Sequence, residues 1–460
     1  MSRVVVVGAG VGGLTAAVRC AEAGHAVTLL EATDVAGGKA GRLERDGFSF
    51  DTGPSLVTMP WVFRDLLGDR IELLPVEPVT RYRFADGSAV DLSADLERSV
   101  ESLEAWSPGT GASWRRFIAT CDAMWRSSEK YLVGEPPWPP RRPAPGEPPP
   151  DPRDLLRVRP WMTLRQLARA HTSDPRLQTI VERFATYAGA DPRRAPAALA
   201  LAGYVEHAFG AWHPRGGVDA IVRALADRAQ KLGVDIRYRT PATGVRRSEI
   251  DTPAGAFAAD WILWNGDALT LDALLGRRAH RAEPSLSGYV LMLGLRGRTP
   301  GLAHHTITFP RSYDAEFDDV LVHRRPVADP TLYVSCSAGT DPSEAPPGDE
   351  SWFVLVNAPP GLPDDAFDGY EEKLIDRLAI SDRIALRARR TPSDLERETG
   401  AVEGAIYGTA PHGRLGTLRR PGPRVRGIPN LLRVGGTAHP GGGLPLVALS
   451  GELAAKIVGR

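Results

Sequence analysis

RVVVVGAGVGGLTAAVRCAEAGHAVTLLE, residues 3–31, decides the fold. Val4 to Val7 is a β-branched run of the kind a parallel strand buried on both faces requires. Gly8, Gly10 and Gly13 follow in G-x-G-x-x-G spacing, with Gly12 in the same turn. Leu14 to Glu22 is helix-prone, and Gly24 can close that helix. Ala26 to Leu30 reads as a second strand, ended by Glu31. Together these make one βαβ unit.

Each position has a physical task. Gly8 makes the tight turn, Gly10 lets a pyrophosphate approach the backbone, and Gly13 lets helix and strand pack closely. The helix start offers unpaired N–H groups and partial positive charge to phosphates. Glu31 stands about twenty residues beyond the glycines, where a carboxylate can accept both hydroxyls of an adenosine ribose. An acid there disfavours a 2′-phosphate. The unit predicts dinucleotide binding, and NAD and FAD both satisfy it. The bland alternative is a glycine-rich turn without a ligand.

The rest of the composition bounds the answer. A chain of 460 residues exceeds one typical domain and can bury a large core. Lys+Arg and Asp+Glu each number 56, and this balance argues against a nucleic-acid partner. Cys20, Cys121 and Cys336 are odd in number and far apart, which fits a reducing compartment better than a disulfide framework. No cluster has metal-ligand spacing, and no metal is expected. There is no run of 18 apolar residues, and the first residues do not read as a signal peptide. The expected location is cytoplasmic, with peripheral contact at the inner membrane face as the alternative.

Further motifs separate the two cofactors. DVAGGKAGR (34–42) and DGFSFDTGPSL (46–56) follow the βαβ unit. They resemble the corresponding segments of two-dinucleotide-domain flavoproteins of the amine oxidase and carotenoid desaturase type. RFATYAGADPRRAPAALAL (183–201), the stretch 212–245, HHTITFPRSYDAEFDD (304–319) and LYVSCSAGTDPSEAPPGDESWFVLV (332–356) extend the likeness along nearly the whole chain. NLLRVGGTAHPGGGLPLVALSG (430–451) resembles the C-terminal FAD motif of the same group. The chain is similar to the bacterial phytoene desaturase family, which includes carotenoid 3,4-desaturases. That resemblance implies an α/β fold: a discontinuous Rossmann-type FAD-binding domain with a mixed α+β substrate-binding domain. Residues 1–75, 210–275 and 425–460 would form the first, and 76–209 and 276–424 the second.

The resemblance also implies a cofactor site. Gly37, Gly38, Lys39 and Arg42 would run along the FAD pyrophosphate. Gly53, Pro54 and Ser55 would pass close to the flavin. Val245 would lie beside the adenine. Gly435 and Gly436 would approach the ribityl-pyrophosphate. The run Gly441, Gly442 and Gly443 would lie against the ring, where bare backbone avoids a Cβ clash, with Leu444 beside it and the N-terminus of the helix starting near Pro445 pointing at it.

Family chemistry, by the same implication, removes two hydrogens from a C–C unit beside a polyene. A hydride goes to the flavin and a proton is lost, and no strong base is demanded because conjugation stabilises the cation. The partner is a hydrophobic small molecule, and oxygen or a quinone accepts the electrons. His439 is the first candidate for a polar group near the flavin, followed by Arg183 and Tyr187 on the channel segment. Glu206 and His207 rank behind them. His304 and His305 read as structural strand residues, and His213 as a loop residue. Alternatives are a desaturase or oxidase of a non-carotenoid natural product, an amine oxidase, a flavin-dependent isomerase, and a flavin-bound protein without turnover.

One stretch departs from the pattern. YLVGEPPWPPRRPAPGEPPPDPRDLL (131–156) is Pro-dense, and its 136–152 portion cannot be helical. A polar, stiff polyproline-like loop is expected there, which argues against membrane insertion, although Trp138 could touch an interface.

Overall fold

The computed structural model describes residues 1–132, 134–136, 151–277 and 283–459. Most of the Pro-rich loop, including Trp138, lies outside the described residues. Pro152 is described and opens the helix Pro152–Arg157, within a span read as non-helical. At a first helical position a proline's missing N–H costs nothing.

Two sheets organise the chain. The first has six strands in the order 424–425, 428–433, 261–264, 3–7, 26–30 and 235–237. The strand Arg3–Val7 lies at its centre. Val4 pairs with Val27 on one side and with Trp261 on the other, both in parallel. Only Arg424–Val425 runs antiparallel to its neighbour. Three separate stretches of sequence therefore build one doubly wound sheet. The helices Val11–Glu22, Asp219–Lys231 and Leu444–Val458 cover one face. Val4, Val6, Leu14, Leu29, Ile221, Leu225 and Leu449 form the core between them.

The first helix begins at Val11, not at Leu14. Gly10 caps it with extended backbone, so Gly12 and Gly13 fall inside the first turn. Their place there is explained by contact. A Cβ on Gly13 would stand 2.0 Å from the Gly8 carbonyl oxygen. Gly12 faces the C-terminal helix, whose Gly451 would put a Cβ 2.4 Å from the Gly12 oxygen. The two helices cross through these glycines.

The second sheet has seven strands and is mostly antiparallel. Its strand Ser287–Leu295 is buried at all nine positions. SGYVLMLGL therefore shows no alternation: Tyr289, Leu291 and Leu293 join one core cluster, and Val290 and Met292 another. Helices between residues 96 and 209 pack against the far edge around Tyr82, Phe117, Phe184 and Phe317.

A short antiparallel pair joins Leu73–Val76 to Ala211–Pro214. His213 is thus a buried strand residue, not a loop residue. Its partner, Leu74, is remote in sequence, so a local reading had no signal for it. His305 opens the strand His305–Thr308, and His304 lies in the bend just before it. All three cysteines are free and buried. Among the described residues no helix is long and apolar enough to cross a membrane.

Candidate active site

A single cavity of about 930 Å³ runs from the carboxyl ends of the first sheet to the helices near residues 183–206. This is the crevice where doubly wound sheets bind ligands. Its walls bring together Gly8, Gly10, Glu31, Gly37, Gly38 and Lys39 with Gly53, Pro54 and Ser55. The C-terminal segment adds Gly436, His439, Gly442, Gly443 and Leu444.

Glu31 is held for its task. Its Oε2 accepts the Ala9 N–H at 2.7 Å, and its Oε1 accepts the Thr33 N–H and hydroxyl, each at 2.9 Å. Gly8 has φ +96°, a conformation that favours glycine, and its carbonyl accepts the Asn265 amide at 3.1 Å. Asn265 packs under Gly8, Gly10, Gly13 and Gly435 together. It stabilises the turn from just beyond the strand Trp261–Trp264, more than 250 residues downstream.

Lys39 lines the cavity while its Nζ donates to the Ile406 carbonyl at 2.6 Å and more weakly to Ala405. Burial lowers its pKa to about 8, Asp267 acting to raise it and Arg390 to lower it. Arg42 is placed elsewhere. It bonds the Gly216 carbonyl and pairs with Glu44 and Glu344, outside the cavity's lining. Val245 also lies off the cavity. It pairs with Ile250 in a three-stranded sheet and packs with Ile250, Ile262 and Trp264. Thr240, Pro241 and Ala242 take the cavity wall there. Gly12, Gly13 and Gly435 serve packing rather than lining.

The C-terminal motif folds back over the cavity. Gly443 caps the helix Leu444–Val458 with φ +104°, and open space surrounds the position a Cβ would take. The unpaired first-turn N–H groups of this helix begin at the wall. Gly442 is pressed on Tyr407, and a Cβ there would come within 2.3 Å of the Tyr407 ring. His439 Nε2 contacts two carbonyls, Tyr131 at 2.6 Å and Gly134 at 3.1 Å. Since both are acceptors, Nε2 carries the proton. Burial lowers the pKa of His439, against a raising effect of those same carbonyls. It is a tether between the segment and the end of the helix Thr110–Leu132.

At the far end Arg183 Nη1 donates to the Tyr187 hydroxyl at 3.0 Å, and Tyr187 donates to Glu206 Oε1. All three line the cavity. Burial raises the pKa of Glu206, while Arg183 and the Tyr187 bond pull it down. Arg183 also faces the ring of Tyr333, whose hydroxyl pairs with Ser55 at 2.6 Å and with His305 Nδ1 at 2.8 Å. Arg420 is a further, half-buried cation on the wall. It donates to the Gly436 carbonyl at 2.8 Å, and burial lowers its pKa to about 10. Sequence reasoning ranked Glu206 low, saw Asn265 only as part of a family-like Asn-Gly-Asp without giving it a role, and passed over Tyr333, Tyr407 and Arg420. Only the spacing of Arg183 and Tyr187, one helical turn apart, was readable locally.

The sequence pattern of flavin-containing amine oxidoreductases matches residues 11–274, and that of FAD-dependent oxidoreductases matches residues 155–457. A hydroxyneurosporene desaturase from Cereibacter sphaeroides is 35% identical over 99% of this chain and 97% of its own. The chain belongs to the carotenoid desaturase family of flavin-dependent oxidoreductases. A 4,4'-diapolycopene oxygenase from Methylomonas is 32% identical, covering 98% of this chain and 97% of its own. Among solved structures, an oxidoreductase from Methanosarcina mazei shares the fold, with a TM-score of 0.66 and 17% identity over 98% of this chain and 99% of that one.

The protein is therefore an FAD-dependent oxidoreductase acting on CH–CH groups. Its residues fit that cofactor. Glu31 presents an oriented carboxylate to the cavity, Gly8 and Gly10 leave backbone bare beside it, and Gly443 leaves a second bare surface. When bound, FAD supplies the acceptor for a hydride.

Proposed function

We propose that this desaturase introduces a C=C bond into a carotenoid or comparable polyene. The observation that carries this reading is the continuity of the cavity. One space joins the Glu31 end to an apolar end walled by Phe184, Leu199, Ala202 and Val205. The names of the relatives point to the same class of substrate.

Removing two hydrogens from neighbouring carbons takes one as hydride and one as proton. Phe184, Leu199, Ala202 and Val205 hold the chain of the polyene and exclude water. Glu206 accepts the proton on its carboxylate, with Tyr187 fixing Oε1 and Arg183 opposing the rise that burial imposes on its pKa. The negative carboxylate also favours positive charge developing on the polyene. The Arg183 cation, in turn, is balanced by Glu206. His439, bound to two carbonyls, orients the segment that faces the cofactor. Gly8, Gly10, Gly37, Gly38, Lys39, Gly53, Pro54, Ser55, Gly436, Gly442, Gly443 and Leu444 are assigned to cofactor contact.

The test is anaerobic titration of the purified flavoprotein with phytoene, neurosporene, a hydroxylated carotenoid and shorter polyenes. Bleaching of the visible flavin band by one of them supports the reading and selects the substrate. A band that persists with every carotenoid removes the polyene assignment while leaving the FAD enzyme. Glu206→Gln should keep the flavin spectrum and slow bleaching by roughly 10²-fold or more, the usual scale of acid–base catalysis. Because the base must be ionised, the wild-type rate should fall as pH drops through the raised Glu206 pKa. A rate independent of pH on that limb, and unchanged in Glu206→Gln, would remove Glu206 from the chemistry.

A further inference from the structure

Outside the cavity lies a second buried polar cluster. His213, on the strand Ala211–Pro214, meets Asp341 and Glu344 from the turn after the strand Leu332–Cys336. Their exposures are 1%, 0% and 1%. One ligand-type atom from each lies within 4.8 Å of the others. None of the three lines the cavity.

Hydrogen bonds within the protein leave this cluster incomplete. Among the described residues neither ring nitrogen of His213 has a hydrogen-bond partner, Nε2 standing 3.5 Å from Glu344 Oε1. Glu344 Oε2 has none either. Asp341 Oδ1 accepts from both the N–H and the hydroxyl of Ser343, while among the described residues Oδ2 accepts the Gly216 N–H alone. A buried polar atom without a partner is costly to leave so. Charge points the same way. Asp51 adjoins Glu344, so three carboxylates share the site with the single Arg42 guanidinium, 3.1 Å from Glu344 Oε1. Arg215 is half exposed, paired with Glu72, and reaches Asp341 only at 4.0 Å. Among the described residues buried acceptor oxygens outnumber the cations beside them, a surplus that one divalent cation would satisfy.

We propose that His213, Asp341 and Glu344 bind one divalent first-row metal ion, of the Zn²⁺ or Mn²⁺ class, in a structural site. One imidazole and two carboxylates suit those ions. Bond lengths of about 2.0–2.2 Å place neighbouring ligand atoms about 3.4 Å apart, so the side chains must draw inward by roughly an ångström. The ion ties the strand at 211–214 to the turn at 341–344. It also braces Asp51, whose Oδ1 holds the Val218 N–H just before the Thr52–Ser55 loop enters the cavity.

The experiment uses the intact flavoprotein, stripped with EDTA, loaded with Mn²⁺ or Zn²⁺ and passed through a desalting column. One equivalent of metal should remain in the wild type, and His213→Ala and Glu344→Gln should retain background only. Electron spin-echo modulation of the Mn²⁺ form should show one imidazole nitrogen, a readout that does not depend on the variants folding. Metal absent from the wild type after loading, metal retained equally by folded variants, or a bound Mn²⁺ without an imidazole nitrogen would each overturn the site. The first of these would instead leave His213 and Glu344 as a buried ion pair.

Discussion

At Glu31 the two carboxylate oxygens already have N–H donors, Ala9 on one and Thr33 on the other. A carboxylate accepts on both sides, and its remaining lone pairs face the cavity. Glutamine cannot reproduce this. Whichever way the amide turns, its NH₂ confronts either the Ala9 or the Thr33 N–H. Glu31→Gln should therefore weaken FAD binding by about 10- to 100-fold, the range for losing a hydrogen bond to a charged group. Flavin-to-protein ratio after gel filtration, and fluorescence titration of the stripped protein, measure it. Flavin retention equal to wild type would mean that Glu31 does not meet the ribose.

The C-terminal element, from the strand Ile428–Arg433 through the glycines to the helix Leu444–Val458, is tied at several points. The Gly435 N–H donates to Ser450 Oγ at 3.1 Å, and that hydroxyl donates to the His439 carbonyl at 2.9 Å. Gly442 then packs flat on Tyr407. Gly442→Ala forces the ring away, an overpacking cost of about 1–3 kcal/mol. It should lower the melting temperature and shift the visible flavin spectrum. Adding Tyr407→Ala should cost less than the two single changes summed, because the methyl then has room. Strict additivity in melting experiments would deny the contact. This element also shows what a sequence can disclose. Its glycine run and the helix after it were readable in order, as was the βαβ unit, because each is a local pattern bounded by a breaker. Tyr407 was not readable, since its meaning lies in a glycine 35 positions away. Val245 and Arg42 went astray for a related reason. Their segments run beside the cavity, but β-pairing turned Val245 into the core, and Glu44 and Glu344 drew Arg42 aside.

Across the whole molecule the cavity is walled by residues from widely separated parts of the chain, from Val7 to Val447. The six-stranded sheet is equally composite, its strands coming from 3–30, 235–264 and 424–433. A cofactor spanning Glu31, the Thr52–Ser55 loop and the C-terminal glycines would therefore contact all but one of the stretches whose pairing makes the sheet. Only the native arrangement brings these groups together, so FAD should bind the folded chain and not the unfolded one. Free FAD at a hundred times its dissociation constant then adds about 2.7 kcal/mol to stability. Domains of 150–250 residues gain about 2–4 °C per kcal/mol, and longer chains less, so the melting temperature should rise by several degrees. The rise should grow with the logarithm of FAD concentration, and in Glu31→Gln the same curve should be displaced to higher FAD. Scanning fluorimetry of the stripped protein across an FAD series makes the measurement. A melting temperature indifferent to FAD would show that the cofactor is not held by the assembled sheet, and the cavity would need another occupant.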